Sequence, residues 1–378
     1  MRDNIEQFGG DPGKITIFGQ SSGGLAVGMH IMAYGGTKPV PFQQAICQSQ
    51  ALEPGITGNF TINAMQALVD YVGCNTTELH SKQTVACLRK LDTHTLLDAS
   101  IATYESDIAH NIGDIWLPAI DNDFLPAAPS TLIREGRFAN VTTMIGWCHD
   151  DVTFFTDSAI KTPDDTRRFI SSYVSGLTSA NVDSLLALYP VSDFEADATA
   201  TLSGEFFRAA RIFRDILMTC QPIWYGQHIA KAGNDVYLYE WNQTILEPII
   251  EQLTGATGWG PIHTSEFAYV FGNLSHYNIS GYPFNPTPAD YQLAVRGSRS
   301  WSTFAATGRP GLDGHNTFKG FKPAFTHGQD PYIFVAGGPS EGLSAVYGRD
   351  SKAAVRAQKL KERCAFINSP ELIEQLRY

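Results

Sequence analysis

ITIFGQSSGGLAVGMHIMAYGG, residues 15–36, begins with the alternation of a strand, turns on glycines and leaves with the pattern of a helix, with Ser21 at the centre of the turn. Gly19-Gln20-Ser21-Ser22-Gly23 fits G-x-S-x-G, a strained strand-to-helix turn that lifts one hydroxyl above the ends of a sheet. Glycines flank the serine because a β-carbon at either end would press on the neighbouring strand or helix, and Gly24 lets the helix approach closer still. The helix N-terminus points its N–H groups at the same place, with the Ser22 N–H as the expected donor to a negative oxygen. Five-residue glycine patterns also arise by chance in a chain with 34 glycines. The position directly between a clean strand and a helix is what favours a nucleophile over a small residue in a tight corner. Ser22, the other hydroxyl, falls inside the helix.

Outward from this turn, strand and helix signals alternate. Residues 1–8 read as a short helix and GGDPGK as a turn; a helix follows from about Gly24 to Tyr34, then the apolar strand FQQAICQSQ. TINAMQALVDYVG has apolar residues at helical spacing with Gly73 as C-cap. VTTMIGW (141–147) and DVYLYEW (235–241) are strongly β, and PYIFVAGG closes the series. Residues 161–233 read as mostly helical, with GEFFRAARIFRDILMTCQPIWYGQHIA the clearest amphipathic piece, capping one side of the sheet. The class is α/β. With no repeat and no linker between halves, residues 1–378 read as a single domain.

A serine needs a base, and the base an orienting acid. Among ten histidines, His30 sits on the buried-looking stretch of the helix after the turn and reads as core. His80, His94, His110, His228, His315 and His327 read as solvated, and His276, between two glycosylation sequons, as surface. His149 beside two aspartates is a rival. His263, in GWGPIHTSEFAYVFGN, opens an apolar, aromatic run after a glycine-rich loop, a layout that delivers an imidazole to the strand ends. HTSE is not H-E-x-x-H, so a zinc reading fails. In this architecture the acid comes between serine and histidine. TMIGWCHDDVTFF supplies Asp150 and Asp151 directly after a strand, the alternative being two solvated turn carboxylates; AIDNDFLP reads as a turn, not a calcium loop.

Composition narrows the class. The 378 residues are 43% hydrophobic and 17% charged, with a net charge of −11 and no cluster of Lys and Arg, which argues against nucleic acid. No run reaches the ~20 apolar residues of a membrane span, and MRDNIEQFGGDPGK has no signal-peptide core. Yet Asn59, Asn75, Asn140, Asn242, Asn273 and Asn278 each begin an N-x-Ser/Thr sequon, which matters only in the secretory pathway. Six cysteines are too few for a disulfide scaffold, but Cys74 and Cys87 bracket a short polar loop that one bridge could close.

Taken together, these stretches resemble the type-B carboxylesterase and lipase family, the cholinesterase-like branch of the α/β-hydrolases. MRDNIEQFGGDPGKITIFGQSSGG is similar to the family's segment around its serine, AICQSQA to its strand ending in Gln-Ser-Gly, DNDFLPAAPSTLIREGRF to its DG-FLP segment and SWSTFAATGRPG to its W--FA-TG-PN, so the likeness runs along essentially the whole chain. The resemblance implies a mostly parallel central sheet with flanking helices. It implies Ser21 as nucleophile, Asp151 as acid, His263 as base and Ser49 as a serine that orients the acid, with an acyl-enzyme intermediate and no cofactor or metal. It implies disulfides Cys74–Cys87 and Cys220–Cys364, leaving Cys47 and Cys148 free. The implied substrate is a small-molecule or lipid ester, and the implied location is secreted or endomembrane; the sequence says nothing of oligomeric state, lid or acyl-chain preference.

Three departures shape the expectation. The acid is Asp followed by Val152, where Glu-Gly is usual, so Asp150 stays a rival. Gln20 replaces the Glu that precedes the serine in many members, which points to neutral esters. Family members carry first strands and a Gly-Gly oxyanion loop ahead of the point matched by Met1, so the expected chain is an N-terminally truncated domain with residues 14–18 at an apolar sheet edge. A second reading follows: a truncated, catalytically impaired relative, or an incomplete reading of the gene, whose triad persists without most of its oxyanion hole. A cholinesterase-like adhesion module is a third, disfavoured because such modules typically lose the serine.

Overall fold

Six strands form one sheet in the computed structural model, which describes residues 1–378 apart from 51, 53, 57, 58, 107–114, 195–199, 275–284 and 327–329. His110, His276, His327 and Asn278 lie outside the described residues. The spatial order follows the chain: β1 (Thr16–Gln20), β2 (Gln44–Gln48), β3 (Thr142–Cys148), β4 (Val236–Trp241), β5 (Tyr332–Ala336) and β6 (Gly342–Ala345). The first five are mutually parallel, and β6 is antiparallel to β5. PYIFVAGG therefore does not close the series: the chain turns back through Gly337 and Gly338 into a four-residue strand, GLSA, whose small residues carry little β signal.

The interior strands are buried along nearly their whole length, as parallel strands covered on both faces must be. Ile145 and Trp147 on β3, with Val236 and Leu238 on β4, point into one apolar layer; Met144, Cys148, Tyr237, Tyr239 and Trp241 point into the other. Gly146 stands opposite Tyr239, where a β-carbon would lie 2.3 Å from the ring. The first layer is closed by the helices Pro163–Tyr173, Ser179–Leu188, Gly204–Arg214 and Cys220–Lys231, the last two joined through a π-helical segment, Asp215–Thr219. The second is closed by the helix Pro288–Thr307 and the aromatics Phe318 and Phe321.

β1 ends the sheet, and Phe18 on it is 47% exposed, its ring 6.0 Å from that of Phe271. Two disulfides are present: Cys74–Cys87 closes the loop after the helix Asn59–Tyr71, and Cys220–Cys364 ties the start of the helix Cys220–Lys231 to the helix Leu360–Ile367. Cys47 and Cys148 are free thiols and buried. No helix among the described residues is long and apolar enough to cross a membrane.

Candidate active site

The helix after β1 runs from Ser22 to Ile31, and Ser21 is its N-cap with φ 59° and ψ −122°. A side chain at positive φ is strained. Here the strain is imposed from both sides: the Ser21 N–H donates to the Gln48 carbonyl at 2.9 Å, and its carbonyl accepts from Leu25 at 2.8 Å. A β-carbon on Gly19 would lie 2.5 Å from the Gly23 backbone, and one on Gly24 would lie 2.5 Å from the Gln48 carbonyl oxygen. Gly23 itself is different: a β-carbon there meets nothing within 4 Å, so what it supplies is its close approach to Gly19, not space for a missing side chain. His30, which reads as core in the sequence, is exposed. With Ser22 and Ala26 it forms the exposed stripe of the helix, and its ring meets Phe124 edge-on instead of entering the core. His228 is half-buried and its Nδ1 meets the Trp224 carbonyl, so it is not simply solvated.

Asp151 follows β3 and is completely buried. One carboxylate oxygen, Oδ2, accepts from the Cys148 N–H at 2.8 Å and from Ser49 Oγ at 2.7 Å; the other, Oδ1, meets His263 Nδ1 at 2.5 Å. The His263 N–H also donates to the Asp151 carbonyl at 3.1 Å, the Asp150 N–H to the Pro261 carbonyl at 3.1 Å, and Thr153 Oγ1 to the Trp259 carbonyl at 3.1 Å. Acid turn and histidine turn are thus stitched together by two backbone bonds and one from the Thr153 hydroxyl. The His263 and Phe155 rings meet edge to face, centroids 5.3 Å apart, and His263 Nε2 lies 3.0 Å from Nε2 of Gln20, the residue before Ser21. Ser49 (φ 45°) and Thr264 (φ 72°) are, like Ser21, non-glycine residues at positive φ, so three strained positions border one cluster.

The rivals face elsewhere. Asp150 points away from the imidazole toward Arg211, 3.4 Å from its Nη2, and its carboxylate lies against Gly260. His149 pairs through Nδ1 with Glu240 and through Nε2 with Arg211. Behind Asp151 stands a second buried carboxyl the sequence reading passed over, Glu266, which accepts from Cys148 Sγ and from Gln48 Nε2, each at 3.1 Å. Burial, with the charge of Asp151, raises its pKa. Its signal in the sequence is the three-residue spacing from His263, which fits no zinc site.

Glu240, at the end of β4, is buried, and burial acts to raise its pKa; His149, Arg214 and a hydrogen bond from Gln358 outweigh that and hold it at about 2. Its folded value lies below the ordinary 4.5, so its contribution to stability is complete above that pH and drains away as pH falls toward 2. The thermal midpoint is expected to drop across that window, and to drop less steeply in Glu240→Gln; equal slopes would remove Glu240 from the account of acid unfolding.

The family model described as "Carboxylesterase family" matches residues 1–340. The whole chain aligns with 66% of a secreted lipase of Arthroderma benhamiae at 53% identity. An inactive carboxylesterase-like protein of Byssochlamys spectabilis is 29% identical over 82% of this chain and 54% of its own length. Acetylcholinesterase of Bungarus fasciatus is 25% identical over 88% of this chain and 54% of its own length. The chain therefore spans between about half and two thirds of the curated relatives it matches. Among solved structures, EstA of Aspergillus niger superposes on the whole chain with a TM-score of 0.73 at 20% identity, covering 67% of that chain, a likeness of fold.

Proposed function

The chain belongs to the carboxylesterase family, and on that premise we propose that it hydrolyses neutral carboxylic esters through Ser21, His263 and Asp151. The observation that carries this reading is the imidazole of His263, held by a buried carboxylate on Nδ1 and turned with Nε2 toward the strained strand end that bears Ser21. In the proposed reaction Ser21 Oγ attacks the ester carbonyl while its proton passes to His263 Nε2. The oxyanion is met by the Ser22 N–H at the helix N-terminus, and the imidazolium returns the proton to the leaving alcohol. Water, deprotonated by the same nitrogen, then releases the acid and restores Ser21. Asp151 keeps the proton of the neutral ring on Nδ1, and Ser49 with the Cys148 N–H keeps Asp151 in place.

Neutral esters are favoured over cationic ones because Gln20, not a carboxylate, borders the imidazole. We read residues 1–378 as a single α/β-hydrolase domain, and the exposed sequons Asn75, Asn140 and Asn273, with the named secretion of the Arthroderma relative, support passage through the secretory pathway. The test is a fluorophosphonate probe on the purified, folded protein, followed by peptide mapping. Modification of Ser21 is expected; a folded sample left unmodified would falsify the assignment and support instead a catalytically silent relative.

A further inference from the structure

We propose that Gln20 is a positioning residue that follows the proton on His263, giving its amide N–H to the Nε2 lone pair in the resting site and its amide oxygen to Nε2–H once the ring is protonated. The inference rests on the assignment of His263 as base. Its geometric ground is the 3.0 Å contact between Gln20 Nε2 and His263 Nε2, together with the 2.5 Å contact on the opposite side of the ring from Nδ1 to Asp151 Oδ1. Asp151 is a buried carboxylate that accepts two further hydrogen bonds, so Nδ1 carries the proton of the neutral ring and Nε2 a lone pair. A nitrogen facing that lone pair must donate.

Nε2 offers one lone pair, so the amide N–H must leave it as the Ser21 proton arrives during acylation, and a fixed N–H would block the transfer. Glutamine avoids the conflict because its terminal oxygen and NH₂ exchange places by a half-turn about one bond. A glutamate would serve only the imidazolium, and a methionine neither form. β1 holds the side chain at the required level: Gln20 pairs in register with Gln48, whose own amide is held by Glu266 at 3.1 Å and by Trp301 Nε1 at 3.3 Å, so only one of the two glutamines turns. Among the described residues, the charged and titratable groups around the imidazole include Asp151, Glu266 beyond it, the Cys148 thiol bonded to Glu266, and Asp150, which Arg211 occupies; the His149–Glu240 pair lies on the far side of the acid turn. With two carboxyl groups already close, a third at position 20 would hold the proton on His263 and slow its return to the leaving alcohol.

The experiment is a pH titration of ¹⁵N-histidine imidazole resonances in the intact chain, for wild type, Gln20→Glu and Gln20→Met, with thermal midpoints as the check on folding. Because the bond from imidazolium Nε2–H to the amide oxygen is about twice as strong as the bond from the amide to the neutral ring, the expected order of the His263 pKa is Glu above Gln above Met, with Gln20→Glu raised by about one unit or more. A merely structural role for Gln20 would leave Gln20→Met within about 0.2 units of wild type, and that result overturns the proposal. Fluorophosphonate labelling rates across pH separate this outcome from the premise. If the order holds and the acid limb of labelling moves with it, both stand; if the order holds but Ser21 is never labelled, Gln20 keeps its hold on the ring and the catalytic reading falls.

Discussion

Asp151→Asn is expected to lower ester hydrolysis by about 10⁴-fold at neutral pH while leaving the fold intact. The size of the effect follows from which end of the new amide can face which neighbour. Oδ2 of Asp151 accepts from the Cys148 backbone N–H at 2.8 Å, a donor that cannot turn, so that corner must remain an oxygen. In the asparagine the NH₂ is therefore driven to the Oδ1 corner, facing His263 Nδ1. Nδ1 must then accept, the single proton of the neutral imidazole moves to Nε2, and Nε2 can no longer take a proton from Ser21. Asp150→Asn is the internal control: its carboxylate is 3.4 Å from Arg211, not on the imidazole, and a loss below about tenfold is expected. Initial rates on a short-chain neutral ester, with the thermal midpoint alongside, decide it. If Asp151→Asn stays within tenfold of wild type, or Asp150→Asn is the variant that collapses, the acid has been misassigned.

What could be read from the sequence is what local chain chemistry determines. The strands β2, β3 and β4 are apolar runs because both faces of a parallel sheet are covered, and such runs are visible without knowing what covers them. The turn at Ser21 is legible because Gly19 and Gly24 are required by contacts within the segment itself and with the next strand. His263 was singled out by what surrounds it in the chain. The misreadings are of partners distant in sequence. His30 lies on an apolar helix, but which of its stripes faces solvent depends on the sheet and loops around it. The contact of Gln20 spans 243 residues and that of Gln48 with Glu266 spans 218, and no spacing rule reaches so far. β6 went unread because a four-residue strand of Gly, Leu, Ser and Ala is specified by pairing with β5, not by its own propensity. The helical piece GEFFRAARIFRDILMTC is the clearest case. Its amphipathic pattern places an apolar stripe on the sheet but does not tell that Arg208, Arg214 and Asp215 are buried as well.

That burial sets the largest expected effect on stability: Arg214→Leu should cost about 3–5 kcal/mol, roughly 4–6 °C in a chain of this size. Arg214 and Asp215 are 1% and 0% exposed, at the junction where the helix Gly204–Arg214 passes into its π-helical segment. The guanidinium gives Nε and Nη2 to Asp215 Oδ1 at 2.9 and 2.6 Å, Nη2 also to Gln358 Oε1 at 2.9 Å, and Nη1 to the His149 carbonyl at 2.7 Å. Removing it leaves the Asp215 carboxylate with the Tyr189 hydroxyl at 2.8 Å as its remaining side-chain donor among the described residues, and strips one cation from beside Glu240. The penalty comes from the stranded acceptors more than from the lost attraction, since two buried ions repay little more than their own desolvation. The double variant Arg214→Leu/Asp215→Leu should therefore recover a substantial part of the loss, because it removes the anion with the cation. The His149 carbonyl stays without its donor two residues before Asp151, so the recovered stability should come with slower catalysis. Calorimetric midpoints of both variants test the argument: a single variant within 1 kcal/mol of wild type, or a double variant no better than the single, would show that the pair is not what holds this junction.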